Sequence, residues 1–228
     1  MIKAVLFDLD NTLADTRSRK IKCVKQSIKK MIAAGLDMGY EKAFSLIMKI
    51  YKKSDYENST IFQDFLIEST GKIDYKILSA AIVEYRKIRY KYEKPYNGMK
   101  ETLRAMRKYD NIILGILTDT SKIRAWTRLT SLGLADFFDI VLTFDDTKSK
   151  KPGINGFKKA IKILKLNPEE ILYIGDIPEK DIKGAKNAGM KTALAKYGQF
   201  LPDSTAPDYV VNNPRELIKI LKSENNKS

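Results

Sequence analysis

From Pro95 onward the chain alternates short, almost wholly apolar runs with amphipathic stretches, and few folds accept that pattern. The apolar runs cover residues 112–117, 140–144, 171–175, 191–195 and 209–211. They are too short for helices and lack the alternation of a strand with one face in water, so they read as strands buried on both faces. Helical spacing at about 98–108, 121–132, 155–165, 179–188 and 214–222 lies before, between and after them. Strands alternating with helices predict a parallel sheet with helices on both faces, an α/β architecture. Residues 2–7, Ile-Lys-Ala-Val-Leu-Phe, form one further run and are expected to join that sheet.

Between the first strand and Pro95 the character changes. No proline occurs before Pro95, and apolar residues recur at helical spacing. Examples are Ile21, Val24, Ile28 and Ile32, then Phe44, Ile47, Met48 and Tyr51. Two more helices are expected near 60–69 and 75–93, the last with Leu78, Ile82, Tyr85 and Ile88 on one face. Pro95-Tyr96-Asn97-Gly98 then punctuates the chain. Residues 1–15 and 95–228 are therefore expected to form one core, with 16–94 inserted as a helical bundle. The polar tail from Ser223 is expected to fray.

Several chemistries are excluded by what the chain lacks. There is no histidine among the 228 residues and Cys23 is the one cysteine. A Ser-His-Asp triad, a phosphohistidine and a histidine-ligated zinc all need an imidazole, and one thiol makes neither a disulfide nor a thiolate cluster. Lys29 stands at the sixth position after Cys23, where a cysteine-dependent phosphatase needs arginine. Carboxylates and lysines must carry any catalysis. The net charge of +14 raises nucleic acid as a partner. Residues 16–94 hold 18 Lys and Arg against 9 Asp and Glu, but without an arginine cluster or an aromatic stacking pattern. The reading is a solvated basic surface that steers anionic metabolites rather than nucleic acid. No apolar run approaches the roughly 20 residues of a membrane span, and the N-terminus does not look like a signal peptide, so a soluble cytoplasmic protein is expected.

In a parallel α/β sheet, ligands sit beyond the carboxyl ends of the strands. The polar residues there are Asp8 and Asp10 after the first strand, Thr118 and Asp119 after the second, Lys151 after the third, and Asp176 and Asp181 after the fourth. Two carboxylates at i and i+2 repel each other, which favours a divalent cation between them or a proton on one. A carboxylate can also attack phosphorus. Asp-x-Asp alone is better explained by turn capping, while an N-cap would account for Thr118 and the first turn of a helix for Asp181. Their joint placement at one end of one sheet favours a phosphoryl-transfer site.

These residues resemble the motifs of the haloacid dehalogenase superfamily, in order. They are Asp8-Leu9-Asp10-Asn11-Thr12, Thr118 within Ile116-Leu117-Thr118-Asp119, Lys151-Pro152 with Phe157 beyond it, and Gly175-Asp176 through Asp181 to Gly189. The resemblance implies a Rossmann-like core with a helical cap built from residues 16–94. It implies that Asp8 is the nucleophile, that Asp10 protonates the leaving oxygen and later activates water, and that Thr118 and Lys151 hold phosphoryl oxygens. It further implies Mg²⁺ bound by Asp8, Asp176 and the backbone carbonyl of Asp10. Asp181 would orient the metal's water shell or support Lys151, and Thr12 and Asp119 would line the substrate site with Thr118 and Lys151. Cap residues near 16–20 and 50–65 would face the leaving group.

Within that superfamily Asp10 argues against a dehalogenase, which has no carboxylate at this position. A phosphatase acting on a small phosphorylated metabolite is the reading adopted, with a phosphomutase and a non-catalytic binding protein on the same fold as alternatives. Segments 32–36, 118–126 and 132–139 are similar to an archaeal subgroup described as acting on glyceraldehyde 3-phosphate. Gly153 and Ile154 depart from the residues common there. The sequence carries no reading of the oligomeric state.

Overall fold

The computed structural model describes residues 1–54, 58–109, 111–199 and 205–226. They form two compact units, one of Met1–Thr16 with Lys94–Ser228 and the other of Arg17–Glu93. The strands of the first unit are β1 Ala4–Phe7, β2 Ile113–Leu117, β3 Ile140–Leu142, β4 Ile171–Gly175, β5 Lys191–Ala195 and β6 Tyr209–Val211. They make one sheet in the order β3-β2-β1-β4-β5-β6, every pair parallel. This is the α/β architecture that the apolar runs predict.

The second unit holds four helices, α1 Thr16–Ala33, α2 Tyr40–Ser54, α3 Ile61–Thr70 and α4 Tyr75–Tyr92. Their apolar stripes meet in a core around Ile28, Met31, Ile47, Phe65 and Leu66. Asp74 caps α4 by accepting from the backbone N–H of Lys76 at 2.9 Å and of Ile77 at 3.1 Å. Arg19, near the start of this unit, forms a buried ion pair with Glu93 at its end. On the sheet side, Ala14 and Pro95 bridge in antiparallel fashion and Tyr96 N–H donates to Leu13 C=O at 2.9 Å. The chain thus leaves and re-enters the first unit at neighbouring backbone positions. Of the stretch 50–65 expected to face a leaving group, residues 55–57 lie outside the described residues.

The remaining helices are α5 Met99–Met106, α6 Lys122–Leu132, α7 Phe144–Thr147, α8 Ile154–Leu164, α9 Lys183–Asn187 and α10 Glu216–Asn225. Alternate strand residues face two separate apolar layers. Val5, Phe7, Leu114, Ile116, Leu172 and Ile174 pack with α5, α6 and α10 side chains on one face. Ala4, Leu6, Leu117, Ile171 and Tyr173 pack with Phe157 and Ala160 of α8 on the other. Both faces are dry, which is why the strands read as continuous apolar runs.

Two local expectations are corrected. The third strand ends at Leu142 rather than at residue 144, because Thr143 caps α7: its hydroxyl and N–H engage the Asp146 carboxylate at 2.7 and 3.0 Å. The polar tail does not fray at Ser223, since α10 runs on to Asn225. Glu224 is buried there, paired with Lys191 and accepting from Tyr209 Oη at 2.5 Å, and Asn225 Oδ1 accepts from Ile2 N–H at 2.8 Å.

Candidate active site

Register brings the candidate residues together. Phe7 of the central strand pairs with Ile116 on one side and Ile174 on the other. Asp8 therefore lies level with Leu117 and Gly175, with Thr118 and Asp176 one residue beyond. Strand order reverses direction between β1 and β4, and the crevice at such a switch point is where α/β sheets bind ligands.

Carboxylate oxygens of Asp8, Asp176 and Asp181 lie within 4.8 Å of one another, and all three residues are buried. Lys151 reaches into this group. Its Nζ donates to Asp8 Oδ1 at 2.6 Å, Asp181 Oδ1 at 2.6 Å and Tyr173 Oη at 3.0 Å. Lys151 is held in turn by Asp119, whose Oδ1 accepts from the Lys151 backbone N–H at 3.0 Å, and it is joined to Pro152 by a cis peptide bond. Asp181 sits on a π-helical turn, Pro178–Ile182, and its Oδ2 accepts from Ile177 N–H at 2.9 Å. That turn folds back over the end of β4, where a side chain on Gly175 would overlap the Asp181 carboxylate. Only glycine fits there.

One ammonium does not balance three carboxylates. Burial pushes the Asp8 carboxyl up to about 7; Lys151 opposes the rise, while Asp181 and Asp10 add to it. Asp176 is pushed up to about 9 by burial and by repulsion from Asp181 and Asp8. Burial alone would lower Lys151, but Asp181 and Asp8 outweigh it and hold the ammonium well above its ordinary value. The directions are consistent: the lysine faces anions, whereas each carboxylate also faces other carboxylates. Buried excess negative charge with oxygen donors only is what a hard divalent cation fits.

Asp10 stands apart from that cluster. Its side chain forms an ion pair with the buried Arg128 of α6, and Thr16 Oγ1 donates to the same oxygen, Oδ1, at 2.6 Å. Thr12 is fully buried and its hydroxyl donates to Asp176 Oδ1 at 3.4 Å, so here it touches a carboxylate of the cluster. Thr118 is also buried, its N–H bonded to Leu142 C=O at 3.0 Å and its Oγ1 accepting from Thr120 N–H at 3.4 Å.

Three contributors escaped the sequence reading. Arg128 looks like one more polar residue on an amphipathic helix, and Tyr173 like strand core. The turn after β5 also packs on the Asp8–Thr12 loop: Tyr197 Oη donates to Thr12 C=O at 3.0 Å, and a side chain on Gly198 would overlap the Asn11 carbonyl. A tyrosine is the sole hydrogen-bonding side chain in Ile171-Leu172-Tyr173-Ile174-Gly175, which was the available signal for Tyr173.

A doubly covered parallel sheet with an acidic, lysine-bearing site at its switch point defines a Rossmann-like α/β protein that binds its ligand beyond the strand ends. Residues 5–195 match the haloacid dehalogenase-like hydrolase family, and the chain belongs to it. It is 34% identical over 225 residues to the glyceraldehyde 3-phosphate phosphatase of Methanocaldococcus jannaschii, covering 98% of each chain. The protein of the same name from Pyrococcus furiosus is 33% identical, over 98% of this chain and 95% of that one. Among solved structures, the HAD phosphatase of Thermococcus onnurineus superposes with a TM-score of 0.70 at 25% identity, covering 96% of this chain and 98% of that one. Among the described residues no helix is long and apolar enough to cross a membrane.

Proposed function

We propose that this hydrolase is a Mg²⁺-dependent phosphatase in which Asp8 carries the phosphoryl group of a small phosphorylated metabolite. The observation that carries the reading is the Asp8 carboxylate at the end of the central strand, 2.6 Å from the Lys151 ammonium and grouped with Asp176 and Asp181. Asp8 and Asp176, with the backbone carbonyl of Asp10, would hold Mg²⁺. Bound there, the ion supplies charge neutralisation between an anionic nucleophile and an anionic substrate.

The chain's own groups do the rest. The Asp8 carboxylate oxygen bonds to phosphorus as the bond from phosphorus to the leaving oxygen breaks, and Asp10 gives that oxygen a proton. Thr118 and Lys151 hold the phosphoryl oxygens through the transfer. Asp10 then takes a proton from water as the water attacks phosphorus, which releases orthophosphate and restores the Asp8 carboxylate. Arg128 and Thr16, both on Asp10 Oδ1, orient this side chain.

Glyceraldehyde 3-phosphate is the substrate we favour, on the strength of the archaeal relatives of that name. A phosphate-release screen of phosphorylated metabolites, with Mg²⁺ and with EDTA, tests both parts. We expect turnover that needs Mg²⁺, is highest on glyceraldehyde 3-phosphate, and falls at least about 1,000-fold in Asp8→Asn. Full turnover in EDTA sinks the metal role, and a strong preference for another phosphate ester sinks the substrate.

A further inference from the structure

We infer that Tyr173 is a positioning residue for phosphoryl transfer, holding Lys151 and the Thr118 end of β2 in the geometry the transferring group requires. The inference rests on the phosphatase reading and adds a residue to it.

An ammonium has three hydrogens, and Lys151 has three acceptors within reach: Asp8 Oδ1 and Asp181 Oδ1, each at 2.6 Å, and Tyr173 Oη at 3.0 Å. The first is the nucleophile, whose oxygen must leave the ammonium's exclusive company as phosphorus approaches. Asp181 and Tyr173 are then what keep Nζ in place while it turns a hydrogen toward a phosphoryl oxygen. Asp181 alone is one point of attachment, about which a four-carbon side chain still swings. The phenol supplies a second, and because its Oη also lies 3.2 Å from the same Asp181 oxygen, the three atoms close a triangle that fixes Nζ.

The phenol is itself fixed. Tyr173 is fully buried in β4, its ring packed edge-on against Phe157 with centroids 5.1 Å apart. Accepting from Lys151 leaves its own hydrogen for Leu117 C=O at 3.1 Å or Asp181 Oδ1 at 3.2 Å. Leu117 directly precedes Thr118. One hydroxyl therefore ties the strand end bearing one phosphoryl-oxygen donor to the ammonium that is the other. A phenylalanine would satisfy the packing of this strand equally well, so the hydroxyl is there for its hydrogen bonds. Groups held this closely act on the barrier, because misplacement by about 1 Å costs roughly 100-fold.

The test is Tyr173→Phe in the full chain, with Tyr209→Phe as a matched loss of a hydrogen-bonded phenol at the sheet edge, where Tyr209 Oη bonds Glu224. Steady-state kinetics with Mg²⁺ are read beside inhibition by orthovanadate, which adopts the five-coordinate geometry of a phosphoryl group in transit, and by inorganic phosphate, which does not. We expect Tyr173→Phe to lower kcat about 10- to 100-fold with KM changed less than about threefold. Vanadate inhibition should weaken in step with kcat and phosphate inhibition much less, while Tyr209→Phe leaves all of these unchanged. Unchanged kcat in Tyr173→Phe, or a parallel loss of thermal stability, vanadate binding and phosphate binding, overturns the inference and leaves the phosphatase reading intact. Absence of Mg²⁺-dependent turnover in the wild type would instead overturn that reading.

Discussion

Replacing Asp8 by asparagine removes the proposed nucleophile, and it also relieves a strain that the folded state carries. Asp8 is buried, and two effects of opposite sign act on its charge. Loss of water raises the carboxyl, the Lys151 ammonium lowers it, and repulsion from Asp181 and Asp10 joins the first effect. Burial wins: the folded value is about 7 against an ordinary 3.8. A displacement of that size corresponds to about 4 kcal/mol. Because the folded carboxyl holds its proton more tightly than the unfolded one, stability is unaffected below about pH 4. It falls as pH rises between the two values, and the whole decrement of about 4 kcal/mol is reached above about pH 7. An asparagine cannot ionise and escapes the loss. Urea unfolding of both proteins in EDTA, from about pH 4 to pH 8, reads the difference directly. The two should be nearly equally stable at the acid end, with Asp8→Asn gaining up to about 4 kcal/mol over the wild type by pH 8. A variant less stable than the wild type at pH 8 would refute the reasoning, since it would mean that the bond to Lys151 outweighs burial.

Other expectations follow from single contacts. Gly175→Ala places a methyl group on the Asp181 carboxylate, so we expect about 1–3 kcal/mol of destabilisation by thermal unfolding together with a large fall in kcat. Asp74→Ala removes the N-cap of α4 and should lower stability by about 1 kcal/mol, with turnover per folded molecule unchanged. Asp139 shows the opposite pH slope to Asp8. Burial raises its carboxyl, but hydrogen bonds from Arg107 and the Leu114 N–H more than offset that and hold it below its ordinary value. Its contribution is present above the unfolded value and fades as pH falls, so Asp139→Asn should be less stable than the wild type at neutral pH and converge with it in acid, followed by chemical denaturation.

The parts of the fold legible in the sequence are those where burial leaves a periodic mark. Strands β2 and β4 are dry on both faces and appear as almost unbroken apolar runs, whereas the helices of the second unit show one apolar stripe each. Residues 140–144 read as a single strand because Thr143 and Phe144 suit a strand by composition. What overrides them is the Thr143–Asp146 capping box, which begins a helix instead. Asp8 and Asp176 are legible because each directly follows a strand, so that one rule of sheet topology gathers them from distant parts of the chain. Arg128, Tyr173 and Gly198 are not, since their roles depend on the direction of a side chain or the approach of a backbone. Arg128 turns inward to Asp10 from a helix whose pattern leaves it looking polar and outward. Tyr173 presents its ring to the core and its hydroxyl to Lys151, and periodicity records only the ring.

The central claim is that Asp8 itself bears the phosphoryl group. Its most direct test is a rapid acid quench of the Mg²⁺-loaded protein during turnover of a radiolabelled phosphate ester, followed by digestion and location of the label. The account predicts a hydroxylamine-sensitive acyl phosphate on the peptide containing Asp8, formed only with Mg²⁺ and absent from Asp8→Asn. Label on any other residue, or undiminished turnover by Asp8→Asn, would contradict it.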